Sequence, residues 1–155
     1  RRTAANDGAQ TDDAVEPSQV KRVILCSGKV YYHLFEAREE RQQTNVALVR
    51  IEQLYPFPEE DLRLALKPFE HVTDVIWCQE EPKNNGSWFF VENRIENALI
   101  AAGHTGTRPA YAGRASSASP ATGLASRHKA EQEALVNDAL GLSIDAPVSR
   151  KSAKA

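Results

Sequence analysis

Val46-Ala47-Leu48-Val49-Arg50-Ile51-Glu52-Gln53-Leu54-Tyr55-Pro56-Phe57-Pro58-Glu59-Glu60-Asp61 passes through three kinds of backbone in quick succession. Val46 to Ile51 is an apolar run of strand length, interrupted only by Arg50. Pro56 and Pro58 then fix φ at two places in the following loop, so little freedom is left between strand and helix. Pro58 stands at a helix start, and Glu59, Glu60 and Asp61 fill the first turn, where unpaired N–H groups and the helix dipole favour carboxylates. Leu62, Ala65, Leu66 and Phe69 recur at helical spacing beyond it. Strand, stiff loop and helix in that order are the unit of an α/β domain, and the stiffness reads as a surface held in position.

The same unit recurs on both sides. Arg22-Val23-Ile24-Leu25-Cys26 is a second strand, and the Ser27-Gly28 turn leads into a helical stripe of Val30, Tyr31, Leu34 and Phe35. Asp74-Val75-Ile76-Trp77-Cys78 is a third strand that ends in Gln79-Glu80-Glu81-Pro82, and the helix after Gly86 places Val91, Ile95, Ala98, Leu99 and Ala102 on one face. Pro109-Ala110-Tyr111-Ala112 reads as a short fourth strand. Ser119 then reads as a helix cap, Pro120 as the first helical position, and Leu124, His128, Leu135, Val136 and Ala139 as the stripe of the last helix. Strands apolar on both faces and separated by helices imply a three-layer α/β/α domain around a mainly parallel sheet.

Residues 1–19 are small, polar and acidic, with Arg1 and Arg2 against Asp7, Asp12, Asp13 and Glu16. Such a segment cannot bury enough surface to offset its ordering entropy, so it reads as a disordered linker. Residues 20–142 form the domain, and 143–155 read as a flexible tail. With 155 residues, 41% of them hydrophobic, the chain suits one domain. A formal net charge of −2 provides no positive field for nucleic acid or anionic membrane. No run approaches the roughly 18 apolar residues of a membrane span, and polar residues follow Arg1-Arg2 where a signal peptide needs an apolar core. The expectation is a soluble protein. The absence of methionine marks the chain as a trimmed product or a piece of a longer one. Cys26 and Cys78 each end an apolar run and form no CxxC pair, so buried thiols in a reducing compartment are expected, with a disulfide between neighbouring strands as the alternative.

Motifs that would carry chemistry are weak. Gly28-Lys29 after a strand resembles a phosphate loop only faintly, because Val23 stands where its first glycine belongs and Val30 where its Ser or Thr belongs. Glu80 and Glu81 are adjacent, point to opposite sides of an extended segment, and are better suited to capping the sheet edge than to paired-carboxylate catalysis. His33, His71, His104 and His128 show no metal-ligand spacing, and His128 reads as a half-buried packing residue. Ser116, Ser117 and Ser119 lack a GxSxG turn. Arg114 beside a helix entrance could meet one negative group, either an internal or inter-domain carboxylate or a bound ligand.

Five words in one order resemble a known family: Cys26 to Tyr32, Arg50 to Pro58, Trp77 to Pro82, Asn84 to Trp88 and Tyr111 to Gly123. From about Val20 to about Leu142 the sequence is similar to the carboxy-terminal, transketolase C-terminal-like domain of the decarboxylating component of 2-oxoglutarate dehydrogenase. The resemblance implies a parent enzyme that decarboxylates 2-oxoglutarate on thiamine diphosphate and magnesium and passes the succinyl group to a lipoyl arm in the tricarboxylic acid cycle. In the family the cofactor is held mainly by two preceding domains through a Gly-Asp-Gly motif, which this sequence lacks. The isolated chain is therefore expected to be inactive, with no cofactor of its own. Its implied partners are the remaining domains, a dimer mate and the dihydrolipoyl succinyltransferase component, in a bacterial cytoplasm or a mitochondrial matrix. Actinobacterial relatives bind an acyl-CoA effector through the glutamine matching Gln53 and basic residues after the proline matching Pro58. Here Glu59, Glu60 and Asp61 would repel a polyphosphate, so that site is expected to be absent or weakened.

The candidate interface or effector-adjacent residues are Gln53, Tyr55, Phe57, Glu80, Glu81, Asn85, Trp88, Arg114 and Ser119. Two other readings compete. One is a stand-alone α/β nucleotide-binding module with its ligand beside Ser27, Gln53 and Glu80. The other is the same domain of a 2-oxoadipate-type dehydrogenase, since substrate is selected in domains outside this sequence.

Overall fold

A computed structural model describes residues 8–12, 14–117 and 125–141. Five strands, β1 (Ala9–Thr11), β2 (Arg22–Cys26), β3 (Val46–Ile51), β4 (Asp74–Cys78) and β5 (Ala110–Ala112), form one sheet in the order β1-β3-β2-β4-β5. The pairs β2–β3, β2–β4 and β4–β5 are parallel, and β1 runs antiparallel on β3. Four helices accompany them: α1 (Val30–Glu40), α2 (Glu59–Leu66), α3 (Trp88–Ala101) and α4 (Ala125–Ala139).

Because successive residues of a strand face opposite sides, the apolar strands feed two cores. Val23, Leu25, Val49, Ile51, Val75 and Trp77 pack with Leu62, Leu66, Val91, Ile95 and Leu99 of α2 and α3. Ile24, Cys26, Leu48, Ile76 and Cys78 pack with Val30, Leu34, Leu135, Val136 and Ala139 of α1 and α4. The three-layer, mainly parallel architecture expected from the sequence is the one observed.

The amino-terminal segment departs from its expected disorder. Within residues 1–19, Ala9 to Thr11 form β1, Pro17 to Gln19 form a 3-10 turn, and Ala9 is buried. Two contacts outweigh the poor composition. β1 covers the free edge of β3, and Asp12 forms an ion pair with the fully buried Arg38 guanidinium, which also donates to Val46 O at 3.2 Å. A three-residue strand in a polar stretch has no periodicity to read.

One further correction concerns a single side chain, His128, and the cysteines follow the main expectation of buried free thiols. His128 is exposed on α4 rather than half-buried, because the apolar contacts of that helix are confined to its carboxyl half. Cys26 and Cys78 lie directly opposite one another on β2 and β4, yet both are free and buried. Ser119, Pro120, Leu124 and the segment 143–155 lie outside the described residues.

Candidate interaction surface at the carboxyl ends of the strands

The chain turns from β2 into α1 on one face and from β4 into α3 on the other, so the loops after these central strands diverge. In open parallel sheets this divergence creates the crevice where ligands are held. Here the crevice is filled by the protein's own polar groups. Glu80 Oε1 accepts a hydrogen bond from Gln132 Nε2 at 2.9 Å and lies 3.8 Å from His33 Nε2, and Glu80 Oε2 is 3.9 Å from Lys29 Nζ. Arg114 spends its guanidinium inward. Nη1 donates to Glu80 O at 2.7 Å, Nη2 to His128 Nδ1 at 3.2 Å and Gln132 Oε1 at 3.3 Å, and Nε is 3.2 Å from Glu131 Oε2. Of the two partners left open by the sequence, the observed one is an internal carboxylate.

Gln79, which sequence reasoning passed over, organises the loop after β4. Its side chain is buried; Oε1 accepts from Trp77 Nε1 at 2.9 Å and from Trp88 N at 3.1 Å, while Nε2 donates to the carbonyls of Glu81 and Pro82, each at 3.1 Å. All four amide valences tested by these contacts are satisfied, so the loop and the start of α3 form one rigid piece. A Cβ on Gly86 would fall 2.2 Å from Gln79 Nε2, so glycine is required there by close approach. A polar residue ending an apolar strand, seven positions before a glycine, is the only sequence signal for this hub.

The remaining expected residues divide between surface and core. Tyr55 is 85% exposed and is joined to Pro56 by a cis peptide, and Gln53 is exposed, donating to Pro56 O at 3.3 Å. Phe57 is half-buried, edge-on to Phe90 with ring centroids 6.5 Å apart. Glu81 and Asn85 are exposed. Trp88, expected to face a partner, is instead buried in the core with its ring 5.6 Å from that of Tyr111. An indole at the second core layer fills more volume than any alternative, and sequence alone could not separate that role from an interface anchor. Phe89, its neighbour, is the exposed ring, at 60%. Nearby, Arg50 stacks on Tyr31 at 4.6 Å and Tyr32 at 5.8 Å and forms an ion pair with Glu52.

A nucleophile or metal centre is not assembled from these groups. Burial pushes the Cys78 thiol up to about 12 and raises Cys26 as well, which disfavours the reactive thiolate. Among the described residues no three His, Cys, Asp or Glu side chains converge as metal ligands, and no helix is long and apolar enough to cross a membrane. The polar groups of the crevice, already paired with one another, do not fit a thiamine diphosphate–magnesium pair.

Residues 3–140 match the family model described as 2-oxoglutarate dehydrogenase C-terminal. The chain belongs to that family. A 2-oxoglutarate dehydrogenase E1 component of Haemophilus influenzae is 52% identical over 128 residues, which is 83% of this chain and 13% of the relative. One from Cupriavidus necator is 45% identical over 127 residues, 82% of this chain and 13% of the relative. One from Brucella anthropi is 50% identical over 124 residues, 80% of this chain and 12% of the relative. The chain thus spans about an eighth of the length of these curated relatives. As a 2-oxoglutarate dehydrogenase C-terminal domain, it has a crevice in which Glu80 and Arg114 pair with its own groups and a strand-end rim that carries exposed aromatic rings.

Proposed function

We propose that this chain is the carboxy-terminal domain of a decarboxylating component that acts on 2-oxoglutarate with thiamine diphosphate and magnesium and hands a succinyl group to the lipoyl arm of a dihydrolipoyl succinyltransferase. The observation that carries the reading is the 52% identity to an E1 component over 83% of the chain, joined to a crevice in which Glu80 and Arg114 are committed internally. When bound, the cofactor would supply the carbanion chemistry. None of this chain's residues is assigned to hold it.

In this reading the domain serves contacts between domains and subunits. Gln53, Tyr55, Phe57, Glu80, Glu81, Asn85, Trp88, Arg114 and Ser119 are the residues proposed for that work, Trp88 and Arg114 indirectly by stiffening the loops that present the others. The domain is proposed to begin with β1, earlier than the boundary at residue 20 read from the sequence, and to end near residue 142; the bacterial relatives favour a cytoplasmic setting. The test is carbon dioxide release from 2-oxoglutarate by the full-length parent, with 2-oxoadipate in parallel. Faster turnover of 2-oxoglutarate supports the proposal, faster turnover of 2-oxoadipate would move the domain to the sister enzyme, and turnover of neither would reject both.

A further inference from the structure

The polypeptide enters this domain at a fixed point. Ala9, the first residue of β1, pairs opposite Ile51, the last residue of β3, so the entry lies at the carboxyl end of the parallel strands. Gly8, immediately before it, is buried and held on three sides. Its carbonyl accepts from Glu52 N at 3.0 Å, its N–H donates to Asp61 Oδ2 at 3.2 Å, and a Cβ there would lie 2.4 Å from Pro58 Cβ. The Asp12–Arg38 ion pair secures the other end of β1. Gly8 is therefore fixed beside the Gln53–Pro58 loop.

The same rim carries the three most exposed aromatic rings among the described residues: Tyr55 at 85%, Tyr32 at 62% and Phe89 at 60%. Each stands on a stiff support. Tyr32 contacts Arg50 through its ring and accepts from Arg50 Nη1 at 3.3 Å; Tyr55 projects from the proline loop; Phe89 is the second residue of α3, next to Trp88, whose N–H is held by Gln79. Exposed aromatic side chains with few rotamers to lose are enriched at the centres of protein interfaces. Arg50 is already neutralised by Glu52, so the rim favours an apolar partner over a charged one.

We infer that this aromatic rim is seated against the polypeptide immediately preceding the domain in the same subunit, rather than against a dimer mate or the acyltransferase. The inference rests on the proposed function, in which the chain is one domain of a subunit roughly six times its length. Tethering beside the rim gives the upstream domain an effective concentration on the order of millimolar there, an advantage no freely diffusing partner shares.

The experiment places a p-benzoylphenylalanine photocrosslinker at position 55 or 89 of the full-length enzyme, with position 100 as control, since Ile100 is 61% exposed but lies near the far end of α3. The expected product migrates at monomer mass in denaturing gels, its peptide map joins position 55 or 89 to residues upstream of Arg1, and its yield is several-fold above the control. An adduct at dimer mass, an adduct with the acyltransferase, or a yield no greater than the control would overturn the inference. As a second readout, Tyr55→Ser with Phe89→Ser in the full-length enzyme is expected to raise hydrogen exchange several-fold in 53–57 and 87–92; unchanged exchange counts against it. Activity of the unsubstituted preparation separates the failures. A parent that decarboxylates 2-oxoglutarate but crosslinks elsewhere sinks only the inference, whereas a parent that does not do so sinks the proposed function.

Discussion

Gln79 satisfies the Trp77 indole N–H, the Trp88 backbone N–H and two carbonyls with one amide, and truncation would leave all four without their partner inside the fold. Gln79→Ala should cost roughly 3 kcal/mol of stability, the sum expected for a few buried polar groups left unpaired. Gly86→Ala should cost about 2 kcal/mol, because its methyl displaces the Gln79 amide. Their combination should cost clearly less than the sum, since truncating Gln79 makes room for the methyl. Urea denaturation of the four proteins checks this cycle, and strict additivity would show that the two residues do not meet. A second residue-scale prediction concerns alkali. Burial holds Cys78 and Tyr111 up to about 12, against ordinary values of 9.0 and 10.0, and raises Cys26 in the same direction. The folded state then keeps protons that the unfolded state releases, so this stabilisation is complete below about pH 9 and is lost as pH rises toward 12. The urea midpoint should be level up to about pH 8 and fall above pH 9; a midpoint that rises with alkali would contradict the assignment. Both thiols should resist an aromatic disulfide reagent until the chain unfolds.

The fourth helix is held in two different ways along its length. Leu135, Val136 and Ala139 are buried against the sheet, whereas Ala125 to Ala130 are exposed and the amino half is tied by Arg114 to His128, Glu131 and Gln132. Arg114→Ala should therefore increase hydrogen exchange in 125–132 while leaving 135–140 protected; uniform loosening of the whole helix would contradict this division. β2, β3, β4 and the first three helices were legible in the sequence because each buries a continuous run or a 3.6-residue stripe, and burial leaves its period in the residue types. β1 was not legible, since it owes its place to the edge of β3 and to one ion pair reaching a residue 26 positions away. The exposure of His128 was hidden for a related reason: the apolar stripe of α4 begins later than the helix does.

At the scale of the whole molecule, the sheet, its two cores and the family were legible, while the division of the candidate residues between surface and interior was not. Tyr55 and Phe89 reach solvent and Trp88 does not, a distinction set by packing across β4, β5 and α3 that no local pattern encodes. The net charge of −2 gives the domain no steering field, and among the described residues Glu80 and Arg114 at the switch point are paired with the domain's own groups, which is the basis for proposing a contact role in a larger enzyme. The central claim is that reactive groups come from outside these 155 residues. It is tested most directly by measuring 2-oxoglutarate-dependent carbon dioxide release from this chain and from its full-length parent side by side, with thiamine diphosphate and magnesium. Turnover by the parent and none above background by the chain is the predicted result; steady turnover by the chain alone would contradict the account.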